Sequence, residues 1–303
     1  MTSARPRPER GRALPGLLPA PPALSWGAAG GSRAVRRPRA ASFFRFRTLR
    51  YPALPAVRPF LLAVGTLTVL PVRVRGEVSP DELRAATAFY PLVGLLVALA
   101  PAAVLLLPLP PLPLGTLALA AWVLATGALH LDGWTDCCDA AFAPPAGNAA
   151  ATRERRLAIL KDPRVGTFGV AGLSLLLLGK WTALVYATPV APLLAAPVAR
   201  WAMVHALRAH PAARRNGLGA VLAGRGRLWT ATGMLMAIVL PIIGTSGEPL
   251  RLAAAVIAGA IAALLVGEVL ARRFGGVTGD VCGALGEAAE LAVLWAFVPW
   301  GLL

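Results

Sequence analysis

Long segments with almost no charged residues recur through residues 58–303 of this chain. A helix needs about 20 apolar residues to cross a hydrocarbon core of about 30 Å, and these segments run to 16–20 residues. Only 15% of the 303 residues are charged, against about 25% in an average soluble domain. The sequence therefore predicts an all-α, polytopic membrane protein.

Seven transmembrane helices are predicted, at residues 88–107, 114–130, 167–185, 190–207, 229–244, 252–271 and 285–303. A shorter apolar segment at residues 60–70 cannot span the membrane and is predicted to form a helix at its interface. The prolines of residues 108–113 cannot continue a helix, so they predict a tight turn between the first two spans.

The basic residues lie mainly in loops on one side of these spans. That side receives residues 72–87, 131–166, 208–228 and 272–284, with 15 Lys and Arg residues, whereas the opposite loops hold only Arg251. Loops rich in Lys and Arg stay in the cytoplasm, so the polar motifs on this side are predicted to face the cytoplasm. The same bias accounts for the net charge of +16 without a nucleic-acid partner.

Residues 1–57 differ in composition from the rest of the chain. They are rich in Arg, Pro, Ala and Gly and show no helical or strand periodicity. This composition predicts a basic disordered tail, with a start codon assigned upstream of the true one as the alternative. Residues 58–303 are predicted to form a single integral-membrane domain.

Half of the six aspartates lie in one short stretch that closes an apolar segment. Asp132, Asp136 and Asp139 are spaced i, i+4, i+7, so on a helix they share one face. Their mutual repulsion would be relieved by a hard cation such as Mg²⁺, which takes oxygen ligands. The alternative is a solvated acidic helix end. His130 just precedes the stripe. Its three alternative roles are a general base, a hydrogen-bonding partner of an aspartate, and an ordinary hydrogen-bonded residue without a role in the chemistry.

A second motif, Lys161-Asp162-Pro163-Arg164-Val165-Gly166-Thr167, precedes a predicted span. Gly166 would let backbone N–H groups approach an anion at a helix start, and Lys161 and Arg164 could neutralise a diphosphate. An ordinary basic loop entering the membrane is an equally good interpretation.

A third motif, Gly275-Gly276-Val277-Thr278-Gly279-Asp280, predicts a turn that opens a helix. Asp280 and Glu287 are spaced i, i+7 and form a second acidic stripe at the same surface. Two facing acidic helix ends could hold one or two Mg²⁺ ions against substrate phosphates.

Two cations lie inside predicted spans, where an unpaired charge costs at least a few kcal/mol. Lys180 needs an acidic partner, for which Glu268 and Glu290 are the predicted choices. Arg200 lies nearer the cytoplasmic end, where it could extend to the interface or reach a bound phosphate. Structural pairing is the alternative for both.

The three motifs together resemble the cobalamin synthase family, also called adenosylcobinamide-GDP ribazoletransferases. The resemblance rests on His130-Leu131-Asp132-Gly133 with Asp136 and Asp139, on the 161–167 motif, and on the 275–280 motif with Glu287. It extends from about residue 58 to the C-terminus.

Family membership implies Mg²⁺-dependent transfer at phosphorus in the bacterial inner membrane, with the active site facing the cytoplasm. A hydroxyl of α-ribazole, or of its 5′-phosphate, would attack the phosphate joined to adenosylcobinamide and release GMP. The small-molecule substrates and the lipid bilayer are the expected partners, and a homo-oligomer is left open.

The expected site residues follow from the motifs and the resemblance. Catalytic roles are expected for His130, Asp132, Asp136, Asp139 and Asp280, substrate binding for Lys161, Asp162, Arg164, Gly166, Arg200, Gly276, Thr278 and Gly279, and metal binding for Asp132, Asp136, Asp139, Asp280 and Glu287.

Two other functions fit part of the pattern. A CDP-alcohol phosphotransferase-like lipid enzyme also uses membrane aspartates, but its Asp-Gly is followed closely by Ala-Arg, whereas Gly133 is followed by Trp134-Thr135. A secondary transporter would place its acids near the midplane and show an internal repeat, whereas these acids gather at one surface.

Overall fold

The computed structural model describes residues 57–299, which belong to one compact unit covering Pro52–Leu303. The predicted basic tail lies outside the described residues, apart from its last position. Within the described range no β-strand forms, and the only bridge outside helices joins Ala212 to Val277 in parallel. The all-α prediction is confirmed.

Twelve α-helices are found in the described part of the chain. They are α1 (Val57–Leu67), α2 (Pro80–Ala86), α3 (Tyr90–Val104), α4 (Pro111–Thr126), α5 (Leu129–Phe142), α6 (Ala149–Ile159), α7 (Thr167–Tyr186), α8 (Val190–Ala209), α9 (Leu218–Leu222), α10 (Leu228–Gly244), α11 (Pro249–Phe274) and α12 (Gly279–Trp295). A 3₁₀ turn, Thr87–Phe89, makes α2 and α3 continuous.

Between residues 57 and 299, four helical segments are long and apolar enough to cross a membrane, which confirms the polytopic prediction. They are Pro80–Val104, α7, α8 and α11, and the pair α4 and α5 adds a fifth if the two count as one bent span. The predicted spans at 229–244 and 285–303 correspond to helices of only 17 residues. The count of seven therefore stays a prediction.

The predicted span at residues 114–130 is wrong at its C-terminal end. Helix α4 stops at Thr126, and α5 leaves at an angle of 90° to it. Gly127 and Ala128 both adopt left-handed backbone conformations, each with φ of 59°. Ala128 is the only described non-glycine residue with positive φ, a conformation that disfavours a Cβ. The aspartates of α5 therefore lie on a separate helix that is turned away from the preceding span.

Helix α12 lies among α5, α7, α8 and α11, and small residues let these neighbours approach its backbone. A Cβ added to Gly133 of α5 would lie 2.8 Å from the carbonyl oxygen of Asp280, and one added to Gly283 would lie 3.2 Å from that of His130. Close backbone packing at small residues is the usual means of helix association in membranes. The crossing brings the acidic ends of α5 and α12 together.

We expect Gly133→Ala to destabilise the protein by about 1–3 kcal/mol, because its methyl group would overlap the backbone of Asp280. Gly233→Ala is the matched control, since Gly233 lies in α10 with nothing within 4 Å of the added Cβ. That variant should be neutral or slightly stabilising. Unfolding of both variants in the same detergent tests the comparison, and equal midpoints would contradict the close crossing.

Candidate active site

A cavity of about 210 Å³ opens where α5 and the N-terminus of α12 face α1, α3, α8 and α9. Five predicted site residues line it: His130, Asp132, Thr278, Gly279 and Asp280. Its remaining lining residues are Thr66, Leu67, Tyr90, Leu129, Met203, Leu207, Leu218, Gly219, Leu222, Cys282 and Gly283. One wall is thus polar and acidic, and the rest is largely apolar.

The carboxylates of two helices meet at this cavity. Asp132 lies in the first turn of α5 and is exposed, and Asp280 lies in the first turn of α12. Asp136, one turn along α5, is half-buried, and Asp132, Asp139 and Asp280 all act on it as nearby negative charges. The predicted meeting of two acidic helix ends is therefore present in the structure.

Asp280 is held in place by its own helix start. Thr278 caps α12, because its Oγ1 accepts a hydrogen bond of 3.2 Å from the backbone N–H of Val281. The same hydroxyl donates to Asp280 Oδ2 at 3.1 Å. Burial raises the pKa of Asp280 above its ordinary value, while this hydrogen bond and the charge of Arg214 oppose the increase.

The acidic cluster is not a complete metal site as it stands. Across residues 57–299, no group of three or more His, Cys, Asp or Glu side chains is arranged to hold a metal ion. The cluster therefore contains the oxygen ligands that Mg²⁺ prefers, but three of its carboxylates are not arranged around one metal position.

Asp139 has a structural role in the fold, while its predicted metal-binding role stays a prediction. Its two carboxylate oxygens accept hydrogen bonds from the backbone N–H groups of Gly166 and Gly169, each at 2.7 Å. These donors belong to the start of α7, where backbone N–H groups lack partners within the helix. The anion site predicted at Gly166 is thus occupied by the protein's own carboxylate.

The remaining polar residues of the second motif do not reach the cavity. Arg164 donates to Asp162 from Nε at 2.9 Å and from Nη2 at 2.6 Å. These bonds lower the pKa of Asp162 to about 2. Lys161 is exposed on the same loop. The predicted diphosphate contacts of Lys161, Asp162 and Arg164 therefore have no support in this arrangement.

A buried ionic network lies behind the cavity. Lys180 of α7 donates to both Glu287 and Glu290 of α12, and Arg200 of α8 donates to Glu290. Arg200 is 1% exposed and Glu287 is 4% exposed. Two cations and two carboxylates balance one another, as buried charges must.

The network identifies the acidic partner of Lys180 among the two that were predicted. Glu290 is a partner of Lys180 as predicted. Glu268 is not, because it pairs with Arg272 at 2.5 Å and lies 3.6 Å from His210. Glu287 is bound to Lys180, and its predicted metal-binding role stays a prediction. The guanidinium of Arg200 is buried against Glu290, so it does not reach a phosphate at the interface.

His130 connects the network to the cavity. Its Nδ1 lies 3.4 Å from Nη2 of Arg200. A guanidinium group only donates, so Nδ1 accepts and the ring proton of the neutral imidazole lies on Nε2. His130 is therefore oriented by a buried charge pair, a role that the sequence left open.

Arg214 is a basic residue of the site that the sequence analysis missed. Its Nη2 lies 3.9 Å from Asp280 Oδ2 and 3.2 Å from the carbonyl oxygen of Leu157, to which it donates. In sequence it stands beside Arg215 in a loop whose charges are explained by membrane topology. Only the fold shows that one of this pair faces the acidic cluster.

Two backbone hydrogen bonds join the loop of Arg214 to the third motif. The N–H of Ala213 donates to Val277 at 3.0 Å, and the N–H of Val277 donates to Pro211 at 2.8 Å. Gly276, with φ of 143°, passes so close to Pro211 that a Cβ would overlap its carbonyl oxygen. The predicted substrate residue Gly276 thus serves this close approach.

Fold and site together define an integral membrane protein with a cavity lined by carboxylates from two helices. The chain belongs to the cobalamin-5-phosphate synthase family, whose model matches residues 59–298. This match confirms the resemblance expected from the three motifs.

Two curated relatives of this chain carry the same name. The chain is 39% identical over 246 residues to the adenosylcobinamide-GDP ribazoletransferase of Pseudomonas entomophila, covering 78% of this chain and 96% of the relative. It is 41% identical over 246 residues to the Deinococcus radiodurans protein of that name, covering 78% and 86%. No solved structure matches this chain.

Proposed function

We propose that this protein is an adenosylcobinamide-GDP ribazoletransferase. A hydroxyl oxygen of α-ribazole, or of its 5′-phosphate, attacks the phosphorus joined to adenosylcobinamide. A new P–O bond forms, the P–O bond to GMP breaks, and the hydroxyl proton is lost. The products are adenosylcobalamin, or its 5′-phosphate, and GMP. The observation that carries this proposal is the meeting of Asp132 and Asp280 at one cavity in a chain of this family.

Mg²⁺ is the proposed cofactor, because the donor chemistry fits it. Asp132, Asp136 and Asp280 would hold it, since their repulsion is unrelieved by hydrogen bonds comparable to those of Asp139. Oxygen ligands and charge both favour a hard divalent cation. When bound, the cation neutralises charge on the diphosphate.

The protein's own groups supply orientation and hydrogen bonding. His130, with its Nδ1 engaged by Arg200, has Nε2–H left to donate to a substrate oxygen. The buried side chains of Leu67 and Met203 form an apolar part of the cavity wall, which strengthens the electrostatic contacts beside it. Positioning and electrostatic stabilisation account for much of the rate in phosphoryl transfer.

A cytoplasm-facing site in the bacterial inner membrane completes the proposal. The acidic residues lie in segments that belong to the basic side of the chain, and another basic segment is adjacent to them. These segments are residues 131–166, 208–228 and 272–284. Such loops are retained in the cytoplasm, where a nucleotide-linked substrate would be available.

The proposal is tested with the purified full chain in lipid nanodiscs, supplied with adenosylcobinamide-GDP and α-ribazole. GMP and a corrinoid product should form with Mg²⁺ and not with a chelator. No corrinoid product with Mg²⁺ or Mn²⁺ would refute the function. CMP released from a CDP-linked lipid under the same conditions would instead favour the lipid enzyme.

A further inference from the structure

We infer that Arg214 binds the diphosphate of the substrate, opposite the carboxylates of α5 and α12. This role deepens the proposed function and rests on it. The notable feature is a guanidinium that lies 3.9 Å from Asp280 Oδ2, within ion-pair distance, but without a hydrogen bond to the acidic cluster.

The backbone fixes where Arg214 can act. The hydrogen bonds of Ala213 and Val277 join its loop to the segment that precedes Asp280. The bond from Nη2 to Leu157 then sets the direction of the side chain. The guanidinium therefore keeps a constant position relative to Asp280, as a substrate-binding group requires.

Arg214 also retains donors for a ligand. Its Nε is buried and has no hydrogen-bond partner, and its side chain is 24% exposed. The separation of 3.9 Å from Asp280 is too long for a hydrogen bond. Within the described residues the only hydrogen bond of Arg214 runs from Nη2 to Leu157, so the exposed part of the guanidinium has N–H donors free for a phosphate oxygen.

The other cations near the site are already committed. Lys180 and Arg200 are bound to buried glutamates, and Arg164 is bound to Asp162. Arg153 donates to the carbonyl oxygens of Phe274 and Gly275 at the end of α11. Arg214 is thus a basic side chain beside the acidic cluster that, among the described residues, forms no hydrogen bond to a carboxylate.

The chemistry of arginine suits this position. A guanidinium presents fixed, parallel N–H donors that match two oxygens of a phosphate group. The carboxylates alone would repel a diphosphate, so binding needs positive charge on both sides of it. Arg214 would supply one side and the carboxylate-bound cation the other, which stabilises the charge that develops on the departing GMP phosphate.

The test compares Arg214→Gln with Arg215→Gln, since Arg215 is the adjacent, exposed arginine. The affinity for GDP, used as the diphosphate probe, is measured in nanodiscs with saturating Mg²⁺, together with transferase rates. Arg214→Gln should weaken GDP binding about ten- to hundredfold and lower transfer. Arg215→Gln should match the wild type in both.

Each outcome decides one question. Equal GDP affinity in Arg214→Gln and wild type would overturn the role of Arg214 while transfer by the wild type still supports the proposed function. A wild type that binds GDP without forming corrinoid product would refute the function and leave the binding comparison valid. If Arg214→Gln does not fold, Arg214→Lys replaces it, and wild-type GDP affinity in that variant would overturn the inference.

Discussion

Asp132→Asn is expected to lower ribazole transfer at least about a hundredfold, the scale found when one electrostatic or metal-orienting group is removed from an active site. The amide keeps the shape of the side chain but loses the charge that it contributes to the cavity. Asp280→Asn should have the same effect from the opposite helix, because both residues line the cavity.

The control for these variants is Asp81→Asn on α2. Its side chain is 85% exposed and pairs only with Arg84 on the same helix, so its transfer rate should stay within about twofold of wild type. Stabilisation by Mg²⁺ in thermal unfolding provides a readout besides activity. Wild-type rates in both Asp132→Asn and Asp280→Asn would remove the two carboxylates from the active site.

Glu287→Gln is expected to destabilise the protein by about 3–5 kcal/mol, because it leaves one uncompensated positive charge in the buried network. Lys180, Arg200 and Glu290 would remain, with a net charge of +1. Denaturant titration in mixed micelles measures the loss. Glu248→Gln is the control, since Glu248 forms an exposed pair with Arg251 and should cost less than about 1 kcal/mol.

A double variant separates the structural role of Glu287 from the predicted metal-binding role. Lys180→Met combined with Glu287→Gln restores neutrality and leaves Arg200 paired with Glu290. It should therefore be more stable than Glu287→Gln and should retain the Mg²⁺ requirement of the wild type. A stable double variant that needs far more Mg²⁺ would show that Glu287 binds the metal after all.

Local sequence patterns predicted the parts of the site that depend on one helix. The i, i+4, i+7 spacing placed all three aspartates on α5, and the 275–280 motif predicted a turn that opens a helix, where α12 begins at Gly279. These features depend on helical periodicity and capping, which a few neighbouring residues determine.

Features that depend on distant contacts were not predictable in this way. The capping of α7 by Asp139 joins residues 27 and 30 positions apart. The choice of Glu287 as a second partner for Lys180 depends on how α7 packs against α12. The bend at Ala128 was not predicted, because no sequence pattern indicates a left-handed alanine and the apolar segment continues through this position.

The buried ionic network also constrains the order of biogenesis. Lys180 and Arg200 leave the ribosome before their acidic partners. Glu287 follows Lys180 by 107 positions, and Glu290 follows Arg200 by 90 positions. Until α12 is synthesised, the helices carrying these cations enter the bilayer without their acidic partners. Helix α12 therefore neutralises two earlier helices as well as lining the cavity, and a chain without it would hold two unpaired cations among its apolar helices.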